Sequence, residues 1–322
     1  MKKSNILKNL ETVLKSNILF LDGALGTIIQ GKIANHPQID QKNIDHLTLT
    51  MPEMLYDIHW SYLKAGANII TTNTISSTKL VQRKYGLENK VYDLNFTAAQ
   101  IAKKACENYK KKFSHLSYVA GSIGPSLEGL SSIKETTQQQ KRFNEFIDNY
   151  TEQINALLDG GVDLLLCETF FDLLNLEAAL IAIKNIQSVR NEKLPLIVSI
   201  TLTNESETLY SGHSIAQFWD LVKTVEPLAI GLNCGDGVRL AKKPLEKLAA
   251  QSTSFISFYP NAGVPDPFIP SKGVESANFI ASNIENYVDQ GLINIIGGCC
   301  GTTPEFINLI VNKCKRKKPR FL

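Results

Sequence analysis

Three cysteines are the residues whose type and placing most directly suggest chemistry. Cys299 and Cys300 are adjacent in "GGCCGTTPEF", and Cys234 closes the apolar run "LAIGLNCGDG" 65 positions earlier. Neighbouring cysteines are poor partners for each other, because a disulfide between them is geometrically strained. Their thiolates can instead share a metal ion. Three protein sulfurs with a fourth position open match the ligand count of a catalytic zinc site, whereas a structural site fills all four. Successive strand residues point to opposite faces, so both sulfurs reach one ion only if the backbone bends. Gly297, Gly298 and Gly301 permit that bend. Thr303 then reads as a helix N-cap and Pro304 as the first helical residue. A phosphate-binding loop would explain the glycines but not the thiols. A buried thiol pair without function is the other plain alternative, and a redox pair leaves Cys234 without a part. The five histidines, His36, His46, His59, His115 and His213, are scattered. Only His213, in "YSGHS", falls near the site, as a solvated or hydrogen-bonded residue rather than a fourth ligand. Cys106 and Cys314 lie in lysine-rich helical stretches and read as incidental; Cys167 ends an apolar run and fits either core or site.

For residues so far apart to meet, the chain must bring them to one rim. Short, nearly continuous apolar runs recur along it: "NILFLDGALG", "ANIITTNT", "YVAGSIGP", "VDLLLCET", "LPLIVSITLT", "LAIGLNCGDG", "FISFYPNAG" and "INIIGGCCG". Runs without polar alternation are strands buried on both faces, as in a parallel sheet. Stretches of helical period lie between them. In "PEMLYDIHWSYLKAGA", Met54, Leu55, Ile58, Tyr62 and Leu63 form one stripe and Gly66 a stop. "PDPFIPSKGVESANFIASNIENYVDQG" reads as a loop followed by a helix. Eight strand–helix units in a chain of 322 residues predict a single α/β (β/α)8 barrel of TIM type, with the active site at the C-terminal ends of the strands. A doubly wound open sheet competes, but "DGALG" lacks the G-x-G-x-x-G spacing that sheet would use. The predicted strand ends carry Asp22 and Gly23, Thr71 to Thr74, Ser122, Glu168, Asn233 with Cys234, Asn261, and Cys299 with Cys300. The long stretch 32–50 is a candidate lid.

Composition narrows the class. A net charge of +3 is too small to argue for nucleic acid, and no apolar run approaches a membrane span. Residues 1–16 read as an N-terminal helix without a signal-peptide core, and 315–322 as a solvated basic tail, within one domain spanning 1–322. The expected location is the cytoplasm, where thiols stay reduced and serve as ligands, core residues or reactive groups.

These motifs resemble the homocysteine S-methyltransferases. The matching stretches are "LDGALGT", "GANIITTNT", "GSIGP", "CETFFDLLNLEAAL", "GLNCGDG", "YPNAG" and "GGCCGTTPEFI", which run from about residue 18 to 310. "GLNC" together with "GGCCGTTP" is the specific part. Within the family the chain is most similar to the homocysteine-binding module of cobalamin-dependent methionine synthase, and no segment for a pterin or corrin is expected after it. The resemblance implies a (β/α)8 barrel and zinc-dependent methyl transfer to the sulfur of L-homocysteine, giving methionine. It implies Cys234, Cys299 and Cys300 as zinc ligands. It also implies Asp22, Gly23, Thr72 and Glu168 around the amino acid, Asn233 as support for the metal loop, and backbone amides near "SIGP" toward the carboxylate. No catalytic side chain is expected beyond the zinc-activated substrate thiolate. The methyl donor is S-methylmethionine or another sulfonium, or methylcobalamin or folate carried by a separate protein. A non-catalytic thiol- or zinc-binding protein is the reading from another class.

Overall fold

The computed structural model describes residues 1–36, 39, 42–126, 128–202, 208–235, 237–263 and 275–322. The loop expected at 265–274 lies outside the described residues. Eight parallel strands form one sheet: β1 (Leu19–Phe20), β2 (Ile69–Thr71), β3 (Tyr118–Ile123), β4 (Leu164–Phe170), β5 (Leu196–Ile200), β6 (Ala229–Cys234), β7 (Phe255–Pro260) and β8 (Ile295–Ile296). Each pairs with its neighbour in sequence, and β8 pairs with β1. A parallel bridge between Leu21 and Ile69 joins the remaining edges, with Asp22 N–H donating to the Ile69 carbonyl at 2.9 Å. The sheet therefore closes into the expected barrel, without the topological switch point of an open sheet.

Helix α1 (Asn5–Leu14) precedes β1, and α2 (Leu25–Ile33) and α3 (Pro52–Ala65) follow it. Then α4 (Val91–Phe113), α5 (Thr136–Asp159), α6 (Leu173–Arg190), α7 (Ile215–Val222), α8 (Lys242–Gln251), α9 (Ala277–Asp289) and α10 (Pro304–Cys314) follow β2 to β8 in turn. Local chemistry sets their ends. Helix α3 starts on Pro52 and stops at Gly66, whose φ of 103° is open to glycine. It buries Leu55, Ile58, Tyr62 and Leu63 as the stripe predicts; Met54 is only half-buried, and His59 completes the face. Helix α10 begins as expected, with Thr303 Oγ1 accepting from Phe306 N–H at 3.4 Å and Pro304 in the first turn.

Strand alternation divides the apolar residues into two cores. Leu165, Cys167 and Phe170 of β4 face outward against the helices, so Cys167 is a core residue. Leu164 and Leu166 face inward, with Leu19, Leu21, Ile69, Tyr118, Ala120, Ile197, Ala229, Phe255, Tyr259 and Ile295. Helix α1 crosses the N-terminal end and adds Leu7, Leu10 and Leu14 to that inner core. Ser4 caps the helix, accepting from Leu7 N–H at 3.1 Å, and Lys2–Lys3 pair with Glu192–Lys193 to fix where it starts.

The basic tail departs from expectation. Arg320 is buried, and its guanidinium donates to the carbonyls of Ala249, Ser252 and Ser254 at 2.7, 2.9 and 3.2 Å. Asn294 Nδ2 donates to the Arg320 carbonyl at 2.8 Å, and Lys317 pairs with Glu285 and Asp289. Lys315, Arg316 and Lys318 are exposed as expected, but Arg320 docks the tail, because a guanidinium with five donors can satisfy carbonyls left open at and just beyond the C-terminal end of α8. A charge count cannot register that fit.

Candidate active site

At the C-terminal end of the barrel the inward positions turn polar. A cavity of about 210 Å³ opens there, lined by Asp22, Thr71, Ser122, Glu168, Tyr259, Cys299 and Cys300, among others. It also takes in Gly23 and Thr72. Ile44, at the start of the turn Ile44–His46, forms part of the wall, so the stretch 32–50 reaches the cavity at that residue.

The three cysteines converge. Their sulfurs all lie within 4.8 Å of one another, with Cys234 Sγ and Cys299 Sγ 2.8 Å apart. Among the described residues this is the one group of His, Cys, Asp and Glu side chains with metal-binding spacing. Cys234 and Cys299 are half-buried and Cys300 is exposed. Three thiols this close cannot ionise independently. Hydrogen bonds from Cys234 and Cys299 hold Cys300 down at about 3, while bonds to Cys234 and Cys300, together with burial, push Cys299 well up. Against its bond with Cys299, which lowers it, Cys234 is raised as well, by its bond with Cys300 and by burial, so negative charge falls on one sulfur of the three.

The backbone solves the convergence differently from the sequence reading. Gly297 and Gly298 do not use positive φ; only Gly301 does, at 79°. A Cβ on Gly297 would lie 2.6 Å from Leu21 Cβ, and one on Gly298 2.4 Å from Thr302 Oγ1, so these two glycines permit close approach. The bend is on the other strand. Cys234 itself adopts φ 55°, an uncommon conformation for a side chain-bearing residue, and Gly235 follows at 70°.

Two carboxylates face the sulfurs across the cavity. Asp22 is 3% exposed and accepts from Thr71 N–H at 2.8 Å and from Thr71 Oγ1 at 3.1 Å. Burial raises its pKa well above the usual range, the Thr71 bonds oppose this, and charge on Glu168 adds to it. Glu168 accepts from Ser122 Oγ at 2.5 Å, and burial pushes it up to about 7. It sits on a bulge: Cys167 pairs with Val198 but Phe170 with Ile200, and Thr169 has φ 62°. No Lys, Arg or His is among the described residues lining the cavity. The two buried acids thus have no basic partner among the described residues that line the cavity.

Asn233 and Thr72 support this arrangement from within. Asn233 Oδ1 accepts from Thr169 N–H at 2.9 Å and Ser199 Oγ at 2.7 Å. Its Nδ2 donates to Thr169 Oγ1 at 2.7 Å and reaches Cys299 Sγ at 3.9 Å, which ties the β4 bulge to the cysteine loop. The Thr72 hydroxyl pairs with Thr74 Oγ1 at 2.6 Å and accepts from Ser122 N–H at 3.0 Å. Gly23 lies against Thr302, where a Cβ would come within 2.7 Å of Oγ1. His213 stays apart from the cluster, its Nδ1 2.9 Å from Ser211 Oγ.

Sequence reasoning gave no part in the site to Thr302, Tyr259 or Tyr62, the last read only as part of an apolar helix stripe. Thr302 Oγ1 donates to the Cys299 carbonyl at 2.6 Å and accepts from Ala24 N–H at 3.2 Å, clamping the β1 turn to the cysteine loop. Tyr62 reaches the same clamp from α3, its hydroxyl 3.3 Å from the Ala24 carbonyl. Tyr259 points inward by the parity of Phe255, Ser257 and Tyr259, a signal hidden inside a continuously apolar run. Burial raises its phenol well above the usual range, and charge on Glu168, Cys299 and Cys234 adds to that. Ser199, close enough to oppose the shift, gives its own proton to Asn233.

Fold and site together define a barrel enzyme whose chemistry sits on the strand-end rim. The chain belongs to the homocysteine S-methyltransferase family, which matches it over residues 19–314. It is an enzyme of methyl transfer to the thiol of homocysteine. The fold is shared with Escherichia coli homocysteine methyltransferase MmuM. The oxidised form of that protein is 24% identical with a TM-score of 0.75, the metallated form 23% and 0.73, and the apo form 23% and 0.68. Each comparison covers 96% of this chain and 100% of MmuM. No helix among the described residues is long and apolar enough to cross a membrane.

Proposed function

We propose that the chain, acting as one domain over 1–322, carries out zinc-dependent methyl transfer to L-homocysteine in a reducing compartment such as the cytoplasm, and so serves methionine synthesis. The carrying observation is the set of three sulfurs within 4.8 Å at the edge of a cavity that also holds two carboxylates with no basic partner among the described lining residues. The donor set fits zinc: three thiolates on one side, and a cavity where a fourth ligand can enter. Cys234, Cys299 and Cys300 would hold the ion. Bound there, zinc would supply a Lewis-acid position that keeps the homocysteine sulfur deprotonated at neutral pH.

The rest of the cavity matches an amino acid zwitterion. The ammonium group meets Asp22 and Glu168, two buried acids with no basic side chain beside them among the described residues that line the cavity. The carboxylate meets the first turn of α2, because Ala24, Leu25, Gly26 and Thr27 line the cavity and no described side chain caps that helix. Gly23 and Thr72 shape the wall, and Asn233 holds the metal loop. With zinc bound, three thiolate ligands would leave the centre net negative and so would keep electron density on the substrate sulfur. That sulfur attacks the methyl carbon in line. The new S–C bond forms as the donor's bond to methyl breaks, and the bonding pair leaves with the donor. The protein's part is orientation and a prepared nucleophile. The donor is a sulfonium such as S-methylmethionine, used directly, or methylcobalamin on a separate protein.

Metal analysis with a donor panel tests this. Purified protein should hold about one zinc per chain and form methionine from homocysteine with one of S-methylmethionine, S-adenosylmethionine, betaine or methylcobalamin, the last with and without cell extract. Metal-free protein that still turns over would sink the zinc reading. Turnover only with extract would assign the donor to a partner protein.

A further inference from the structure

The hydroxyl of Tyr259 is buried and makes no hydrogen bond among the described residues, and the residue lines the cavity. A native structure seldom leaves a buried polar group unpaired without a use for it. The surroundings narrow that use. Strand β7 lies between β6, which ends in Cys234, and β8, which runs into Cys299. Asn233 and Cys234 are registered against Tyr259 and Pro260, and Cys299 N–H donates to the Pro260 carbonyl at 2.8 Å. Cys299 packs against the inner core to which the Tyr259 ring belongs. The phenol therefore projects into the barrel beneath the arc that carries the sulfurs.

No described acceptor is bonded to it: the nearby Ser199 hydroxyl gives its own proton to Asn233 and makes no hydrogen bond to the phenol. Asn233 Oδ1 already takes two hydrogen bonds, and Ser122 occupies Glu168 Oε1. A neutral phenol in surroundings of like negative charge acts as a donor. Among the groups of bound homocysteine, the ammonium is met by two carboxylates and the carboxylate by α2, which leaves the sulfur. We propose that the Tyr259 hydroxyl donates a hydrogen bond to the sulfur of bound homocysteine, making it a substrate contact that orients the nucleophile. This rests on the homocysteine reading above and deepens it.

Tyr259→Phe keeps the ring and removes only the oxygen. Its affinities for L-homocysteine and for L-2-aminobutyrate, which has the same amino acid head without sulfur, are measured by competition on the zinc-loaded protein, alongside metal content. We expect homocysteine to bind about tenfold more weakly, as for loss of a hydrogen bond to a charged acceptor, with 2-aminobutyrate and zinc content unchanged. Unaltered homocysteine affinity would overturn the proposal, as would equal losses for both ligands or a loss of zinc. If the wild-type protein itself bound no homocysteine, the functional reading would fall, and the variant would not be the reason.

Discussion

At the N-terminal end of the barrel the inward residues are apolar, and α1 presses Leu7, Leu10 and Leu14 onto Leu19, Ile69, Leu164, Phe255 and Ile295. A few residues further along the same strands the inward set becomes Asp22, Thr71, Ser122, Glu168, Asn233, Tyr259 and Cys299. One end gains stability from every atom it buries. The other buries two carboxylates and a phenol without a described partner, beside two half-buried thiols and an exposed one, and each buried group would be more stable in water or with a partner. The same strands thus separate holding the fold from doing chemistry, and substitutions at the two ends should give opposite signatures.

Cys299→Ser is the strongest test at the mouth. It should remove bound zinc and lower methyl transfer by roughly three orders of magnitude, about 4 kcal/mol of transition-state stabilisation. The melting temperature of the metal-free protein should hardly move. Leu10→Ala tests the other end. Leu10 is fully buried, so its truncation should cost about 2–5 kcal/mol of folding stability, read from urea unfolding. Zinc content and KM for homocysteine should stay at wild-type values, and a parallel rise in KM would mean that the two ends are not separable.

Asp22→Asn is expected to act on binding and stability in opposite senses. The amide oxygen can still accept from Thr71 N–H, but the charge facing the ammonium is gone. KM for homocysteine should rise about tenfold, the scale of a charge-assisted hydrogen bond. The melting temperature should hold or rise, since burial and Glu168 both disfavour the Asp22 carboxylate. A variant that loses zinc and stability together would make Asp22 a structural residue.

The barrel was legible because its strands are buried on both faces and end in Gly, Asn, Thr or Cys, which marks each unit without reference to the others. The cysteine set was legible for a related reason: three thiols at strand ends have few other uses. What stayed hidden depends on partners distant in sequence. The Glu168 bulge, the positive φ of Cys234, the saturated amide of Asn233 and the docking of Arg320 are each fixed by what packs beside them. The glycines of "GGCCG" show the limit well. Their need was visible, but close approach of Leu21 and Thr302, rather than a bend, explains two of them.

The smallest effect is expected at Asp45, in the segment that walls the cavity. Asp45 is 2% exposed, accepts from Ser77 Oγ at 2.9 Å and Gln82 Nε2 at 3.4 Å, and sits beside the wall residue Ile44. Burial raises its pKa from 3.8 to about 6 against the opposing hydrogen bonds from Ser77 and Ser76. The folded state therefore holds this proton more tightly than the unfolded chain does. Stability is not penalised below the unfolded value, falls as pH climbs toward 6, and carries the full loss above it. Asp45→Asn removes that titration while keeping an acceptor for Ser77. At pH 7.5 it should be more stable than wild type by about 1 kcal/mol, with a ceiling of roughly 3 kcal/mol from the size of the shift. Near pH 4 the two should coincide, and KM for homocysteine should not change. Urea midpoints for both proteins across this range decide the matter. Parallel pH profiles would show that Asp45 is ionised in the folded protein at no cost, and that the mouth is less strained than its buried charges imply.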